Sequence, residues 1–393
     1  FPDDQFLMRN TGFYSHRGSW AVPGLVAWSA GDLVVSNGWF CSPASGFALT
    51  ADSLKVVGTD PTLHRLDLTN GLVRVAGGVT LEQAGLRLYG GAPLAPDFQC
   101  GGDLTLANFS RMRVHSSAVA AFAPPNCGAY VESAGTMLLS GSSQISPFAN
   151  ATNGVSPFFE ASSLTIADAD SGFDATGFGY AGSASTSTPG WGPGAGYKFM
   201  GGGHGGNGSK ALAPQGLTND VATLPILAGS GGGGRTAERR GLGDGAGARA
   251  IIVRVAGEAV VNGKMLAGGG VPNLYGGAGA GGTIFIDCRN FSGGSGGVLN
   301  ATGANGNVWG GAGGGGGRIA VWHGVLDEDR ARVVAGDMKR VQITTTHPDY
   351  LGTATAAGGF DGGSGKLLAT GGGAGTVVFL TVVPPAATMI IVR

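Results

Sequence analysis

Charge is scarce in this chain. Only 12% of its 393 residues are Asp, Glu, Lys or Arg, and the formal net charge is −1, where a typical domain carries about 25% charged residues. A balance this close to zero removes the basic stripe on which nucleic-acid binding normally depends. No apolar run reaches the roughly 18 residues needed to read as a membrane-spanning helix. The four cysteines, Cys41, Cys100, Cys127 and Cys288, include no CxxC pair, so zinc-ribbon and thioredoxin-type chemistry lack their ligand spacing. Long helical periodicity is missing too. The one helix-like patch runs from Leu326 to Arg332, and without recurrent helices a doubly wound α/β fold has no crossover elements. Finally, the chain opens on Phe1 with no charged-then-apolar leader. The expectation is an exported protein whose signal peptide has been removed, although an artificial boundary would look the same.

What the chain has instead is glycine: 78 residues, far above the usual share of about 7%. Hydrophobic residues still make up 42%, enough for a large core and too many for a disordered chain. The glycines show no strict three-residue repeat along the sequence, which excludes collagen. Four times a glycine tract runs directly into a short apolar run. The runs begin at Ile251, Ile284, Ile319 and Val377. The first two steps are near 34 residues, and the last carries an apparent insertion. One strand per repeat at such a period predicts the stacked coils of a solenoid.

Alternation assigns the faces of these strands. Ile251, Val253 and Val255 point one way, with Ile252 and Arg254 opposite. Ile284 and Ile286, Ile319 and Val321, then Val377 and Phe379 repeat the first set. Stacked, they form an aliphatic ladder with equivalent residues about 4.8 Å apart along the axis. The expected fold is therefore all-β: a right-handed parallel β-helix with glycine-rich loops. Upstream strands are expected at Leu72–Val75, Leu86–Tyr89, Leu104–Leu106, Met112–Val114, Met137–Leu139 and Leu164–Ile166, each a short apolar run bounded by turn residues. Three regions follow. Residues 1–60 hold Trp20, Trp28 and Trp39 and read as an aromatic N-terminal cap or docking arm. Residues 61–190 are β-helix coils, and 191–393 are glycine-rich coils with a C-terminal strand. Of the 78 glycines, 42 fall between 191 and 320. Isolated polyglycine is a floppy linker, but tracts recurring at the repeat period can stack as a polyglycine-II-like bundle of extended threads.

The Gly313–Val321 junction, the Gly201–Gly206 segment and the Ala-Thr-Gly turns at 301–303 and 369–371 resemble glycine-rich repeat regions of large bacterial surface proteins. Those regions are adhesin-like or autotransporter-passenger-like β-helices. The resemblance covers roughly residues 160–380 and implies a stalk, an adhesin or a filament. It brings no catalytic residues with it.

Candidate chemistry is sparse. Asp168, Asp170 and Asp174 are close enough in sequence for a glycosidase-type carboxylate pair, a solvated turn or a loose structural Ca²⁺ site; no other cofactor is suggested. His204, flanked by glycines, is a contact within the bundle or a solitary base, while His16, His64, His115, His323 and His347 are scattered. Trp191, Tyr197, Tyr275, Trp309 and Trp322 are candidates for stacking on sugars. Cys100 and Cys127, 27 residues apart, could bridge neighbouring rungs or simply pack as small hydrophobes. N-x-S/T triplets occur at Asn108, Asn150, Asn207, Asn290 and Asn300, consistent with export. The expected role is structural. The chain reads as an extracellular homopolymer, the subunit of a surface filament, stalk or sheath, associating through its ends or through the apolar segment Met389, Ile390, Ile391 and Val392. The alternatives are a carbohydrate-binding adhesin with glycan partners, or a polysaccharide lyase or hydrolase.

Overall fold

The computed structural model describes residues 26–42, 46–69, 71–91, 94–120, 127–183, 188–210, 216–234, 245–272, 276–363 and 366–383. The described chain is nearly all β. Its strands lie in a 13-stranded sheet, a 9-stranded sheet and a small antiparallel hairpin. The backbone passes back and forth between the two large sheets, and every described strand in them except Val341–Thr344, which pairs antiparallel with Thr376–Val382, pairs in parallel with a strand from a neighbouring circuit. In the larger sheet, Ala27–Ser36 pairs with Ala48–Val57. The stack then continues through Ala129–Leu139, Pro157–Ile166, Ala250–Val261, Thr283–Ser292 and Arg318–His323 to Thr376–Val382. The smaller sheet has shorter strands, from Trp39–Cys41 through Gly85–Tyr89, Arg111–His115 and Gln144–Phe148 to Thr353–Thr355. Parallel partners need a connection that returns the chain to the same edge; here each return path carries the other sheet's strand.

Register follows the apolar alternation. Ile251, Ile284, Ile319 and Val377 pair in succession, and so do Val253, Ile286, Val321 and Phe379. The second ladder reaches back through Phe159, Val131, Phe98 and Val73 to Leu49, every side chain at most 2% exposed. A facing ladder on the smaller sheet runs Phe40, Leu66, Leu86, Met112, Ile145, Phe173, Met265 and Leu299. All of these belong to one continuous core. A one-residue slip would turn every ladder residue outward, so burial of one face fixes the register.

The strands expected upstream are present: four agree with the expected bounds within a residue, while Met137–Leu139 and Leu164–Ile166 are the C-terminal ends of longer strands, Ala129–Leu139 and Pro157–Ile166. Ala259 to Val261 continue the strand that starts at Ala250 beyond a register shift, whereas Val298 to Asn300 lie in the smaller sheet. The helix-like patch forms a helix, Asp327–Val334, with Asp327, Glu328 and Asp329 in its first turn, where acidic groups favour the helix N-terminus. Residues 27–57, inside the region expected as a cap or arm, form the first described rungs of the stack; residues 1–25 lie outside the described residues.

The glycine bundle and the outer faces of the sheets

Along 201–206, 229–234, 276–282 and 311–317 every glycine except Gly205 is buried. Between the smaller-sheet strand Gly172–Asp174 and the next larger-sheet strand at Ala250, the chain leaves the stack. The glycines on this excursion meet others at 270–282, 313–317 and 373. Along 312–317 the hydrogen bonds repeat every third residue. Ala312 and Gly315 donate to the carbonyls of Phe199 and Gly202 at 3.2 and 2.9 Å, and Gly314 and Gly317 donate to those of Ala304 and Ala301 at 2.9 and 2.7 Å. The acceptors keep the same period. The carbonyls of Ala312 and Gly315 receive Ala278 and Gly281 at 2.9 Å, and those of Gly313 and Gly316 receive Ser209 and Gly206 at 2.8 Å. The thread thus returns to the same neighbour every third residue, and none of these bonds along 312–317 is internal to it. Glycine is required for steric reasons. A Cβ on Gly315 would overlap the Gly206 carbonyl oxygen, and one on Gly281 would overlap that of Ala301.

From the same excursion, residues 216–228 cross the outside of the larger sheet as a strap. The indole nitrogen of Trp322 donates to the Thr223 carbonyl at 2.6 Å, the Thr283 hydroxyl donates to Leu227 at 2.7 Å, and the Arg318 guanidinium donates to Asn219 at 2.8 and 3.0 Å. His204 is fully buried at the strap's root. Its Nδ1 lies 2.9 Å from the Gly281 carbonyl and its Nε2 lies 3.4 Å from an Asp220 oxygen. Burial pushes the Asp220 carboxyl up, but His204 and the amides of Leu227 and Val221 outweigh it and hold the pKa below the usual value. Burial lowers Arg318, with Asp220 opposing. His204 is thus a bundle contact. Beneath the strap, Ile252, Phe285, Ala320, Trp322 and Leu380 form a second apolar cluster, which Val325 and Val333 from the helix region complete.

The outer face of the smaller sheet has a different character. Leu86, Leu88, Met112 and Val114 point into the core, so Arg87, Tyr89, Arg113 and His115 point out. Register sets Arg87 beside Arg113 and His115 beside Phe148. The rings stack, Tyr89 on His115 with centroids 4.8 Å apart and His115 on Phe148 at 4.1 Å. The Arg249 guanidinium continues the column, 3.6 Å from the Phe148 ring and 4.8 Å from that of Phe178. Beside the column, Arg65 pairs with Asp67 at 3.0 Å and Arg87 approaches the same carboxylate at 4.0 Å; among the described residues no ion pair reaches Arg113. Burial lowers the Arg113 pKa and repulsion from Arg87 and Arg65 adds to it, with Tyr89 and Asp67 opposing. Burial, together with Arg249, Arg113 and Arg87, pushes His115 down to about 4. A groove of about 370 Å³ opens along the column, lined by Tyr89, His115, Ser116, Phe148, Asn150 and Phe178 among others. Ser116 is 8% exposed, and its hydroxyl has no hydrogen-bond partner among the described residues.

The sequence candidates meet different fates. Trp322 cannot stack on a sugar: it is 1% exposed, because the strap covers the outward face that alternation assigned to it. Trp191 and Trp309 are half exposed or more, at 50% and 57%, while Tyr275 and residues 389–392 lie outside the described residues. The acids serve the backbone. The Asp168 oxygens accept from Gly141, Asp170 and Ser171; although burial pushes that carboxyl up, the Ser171 hydroxyl and these amides leave it below its usual pKa. Asp170 pairs with Lys264 at 2.9 Å, and Asp174 accepts the Thr176 amide at 3.0 Å. No disulfide joins Cys100 to Cys127. The reason is topological: Cys100 belongs to the interior core and Cys127 to the cluster on the opposite side of the larger sheet. Sequence reasoning missed the Tyr89–His115–Phe148 column, although aligning Leu86–Leu88 on Met112–Val114 would have superposed Arg87 on Arg113 and Tyr89 on His115. No protein-family model, no curated protein and no solved structure matches this chain.

Proposed function

We propose that the chain is a structural protein of a cell surface, a stiff stalk or filament subunit. In this reading the alternating strands close into a right-handed parallel β-helix, and the glycine threads form a polyglycine-II-like bundle braced along its side. The observation that carries the reading is the three-residue hydrogen-bond period of the 312–317 thread, locked to the coil ladder at Arg318. Two parallel supports joined along their length resist bending better than either alone, which suits a load-bearing element. Self-association is expected at the ends. Ala27–Ser36 pairs on one side only among the described strands, and Val341–Thr344 closes the other end in antiparallel fashion with Ile343 49% exposed. Unpaired strand edges recruit further strands. Negative-stain electron microscopy with light scattering tests this directly. Rods or filaments that lengthen with concentration support the proposal, and globular monomers at every concentration refute the homopolymer.

A second reading, a carbohydrate-binding adhesin, draws on the exposed indoles of Trp191 and Trp309, since exposed aromatic faces suit sugar rings. Loss of glycan-array binding on Trp309→Ala supports it.

A further inference from the structure

We infer that the outer face of the smaller sheet, along Arg87, Arg113 and the Tyr89–His115–Phe148 column, is a binding site for an acidic polysaccharide. Charge makes the first case. The whole chain carries −1, yet Arg65, Arg87, Arg111, Arg113 and Arg249 gather on this face with only Asp67 and Asp174 to offset them. Arg113 is the centre of the excess, with arginines beside it and no ion pair among the described residues. Uncompensated, partly buried guanidinium groups are costly to hold together, and they bind planar carboxylates with two hydrogen bonds at once.

Ring geometry makes the second case. Interplanar angles of 21° and 13° turn the ring faces of the column toward one another, which leaves ring edges toward solvent. Aromatic edges carry positive partial charge and favour oxygen-rich, anionic groups. The faces are occupied, so nucleobases, which need a free face to stack on, are poor occupants. The groove supplies the third case. Ser116 lies on its wall, more than nine-tenths buried, and its hydroxyl has no hydrogen-bond partner among the described residues, so polar capacity stands unused beside the groove. Both the stripe and the column run along the stacking direction, so the site takes a chain whose carboxylates repeat from rung to rung rather than a single small anion.

This inference is independent of the filament reading, because the ladder is complete within one chain. The test is affinity electrophoresis and calorimetry with polygalacturonate oligosaccharides, their methyl-esterified forms, and single-stranded DNA as a second polyanion. Expected is binding of the free-acid oligosaccharides that weakens with salt, is lost on esterification, and falls about tenfold or more in R87Q/R113Q. S116A weakens it further, and R289Q, on the other sheet, leaves it unchanged. Unfolding midpoints of the variants separate loss of fold from loss of site. Equal binding by folded R87Q/R113Q, equal binding of esterified oligosaccharide, or tighter binding of DNA overturns the proposal.

Discussion

Substitution of Gly315 by alanine isolates what the threads contribute. The added Cβ would fall well inside 3.0 Å of the Gly206 carbonyl oxygen, with the backbone of Asn207 next nearest, so the thread must move. Movement strains the bond from Gly315 to Gly202 and the bond from Gly281 to Gly315, both 2.9 Å, and disturbs the Gly206 carbonyl, which accepts His204 at 3.0 Å. Leaving a buried peptide group unpaired costs about 1–3 kcal/mol. Three such bonds, partly recovered by relaxation, place the loss on the order of 3–6 kcal/mol, against about 0.4–1 kcal/mol gained by stiffening the unfolded chain. Gly268→Ala is the internal control. Its nearest contact would be 3.7 Å, so it keeps only the unfolded-state gain. Denaturant unfolding compares the two, and hydrogen exchange locates the damage. In a stack of nearest-neighbour contacts, protection should fall at Gly202 and Gly281 and persist at Val73. Equal midpoints for G315A and G268A, or uniform loss of protection, would show that the threads are not a packed bundle.

Two further outcomes follow from burial and titration. Ile286→Ala removes a fully buried rung of the ladder and should cost about 2–5 kcal/mol, whereas Ile343→Ala, at a position 49% exposed, should stay within about 0.5 kcal/mol; denaturation midpoints rank them. His115 sits at about 4 in the fold against its ordinary 6.5. A depressed histidine contributes its full stability above about pH 6.5 and loses it as the pH falls toward 4, because the unfolded chain takes up the proton first. His115→Phe keeps a ring in the column and removes the titration. Its stability should fall less than the wild type's between pH 7 and 4.5, by on the order of 2 kcal/mol at about 1.4 kcal/mol per pH unit; parallel curves from thermal melts would refute the assignment.

The ladder was legible because its signal is local. Ile251, Ile284 and Ile319 each follow glycine at a near-constant step, and period-2 alternation then decides which side chain goes inward. The same rule correctly put Trp322 on the outward face but could not reveal that residues 216–228 return across that face, since no pattern within the strap encodes its partner. Cys100 and Cys127 show the same limit: a separation of 27 residues suggests adjacent rungs, and only the assignment of sides shows that the two thiols lie on opposite sides of the sheet. The stacked column was hidden for a different reason. Tyr89, His115 and Phe148 are neither apolar enough to join the ladder nor close enough in sequence to form a motif, and only register brings them together.

The strap also explains why the two halves of the larger sheet differ in outward composition. In the upstream rungs the outward positions are Thr50, Lys55, Arg74, Thr80, Gln99 and Glu132, at least partly exposed, as expected for a sheet with one wet face. In the column that meets the strap they become Phe158, Ile252, Phe285 and Ala320, with Trp322 and Leu380 beside them, all buried, the near-continuous apolar pattern of strands covered on both sides. The change begins at Phe158, on the last strand of the larger sheet before the excursion that carries the strap. A chain that covers one sheet in this way leaves the outer face of the other as its long, open, charged surface. The strap thus covers part of the larger sheet's outer face, while the arginine–aromatic column lies on the outer face of the smaller sheet, where register alone assembles it.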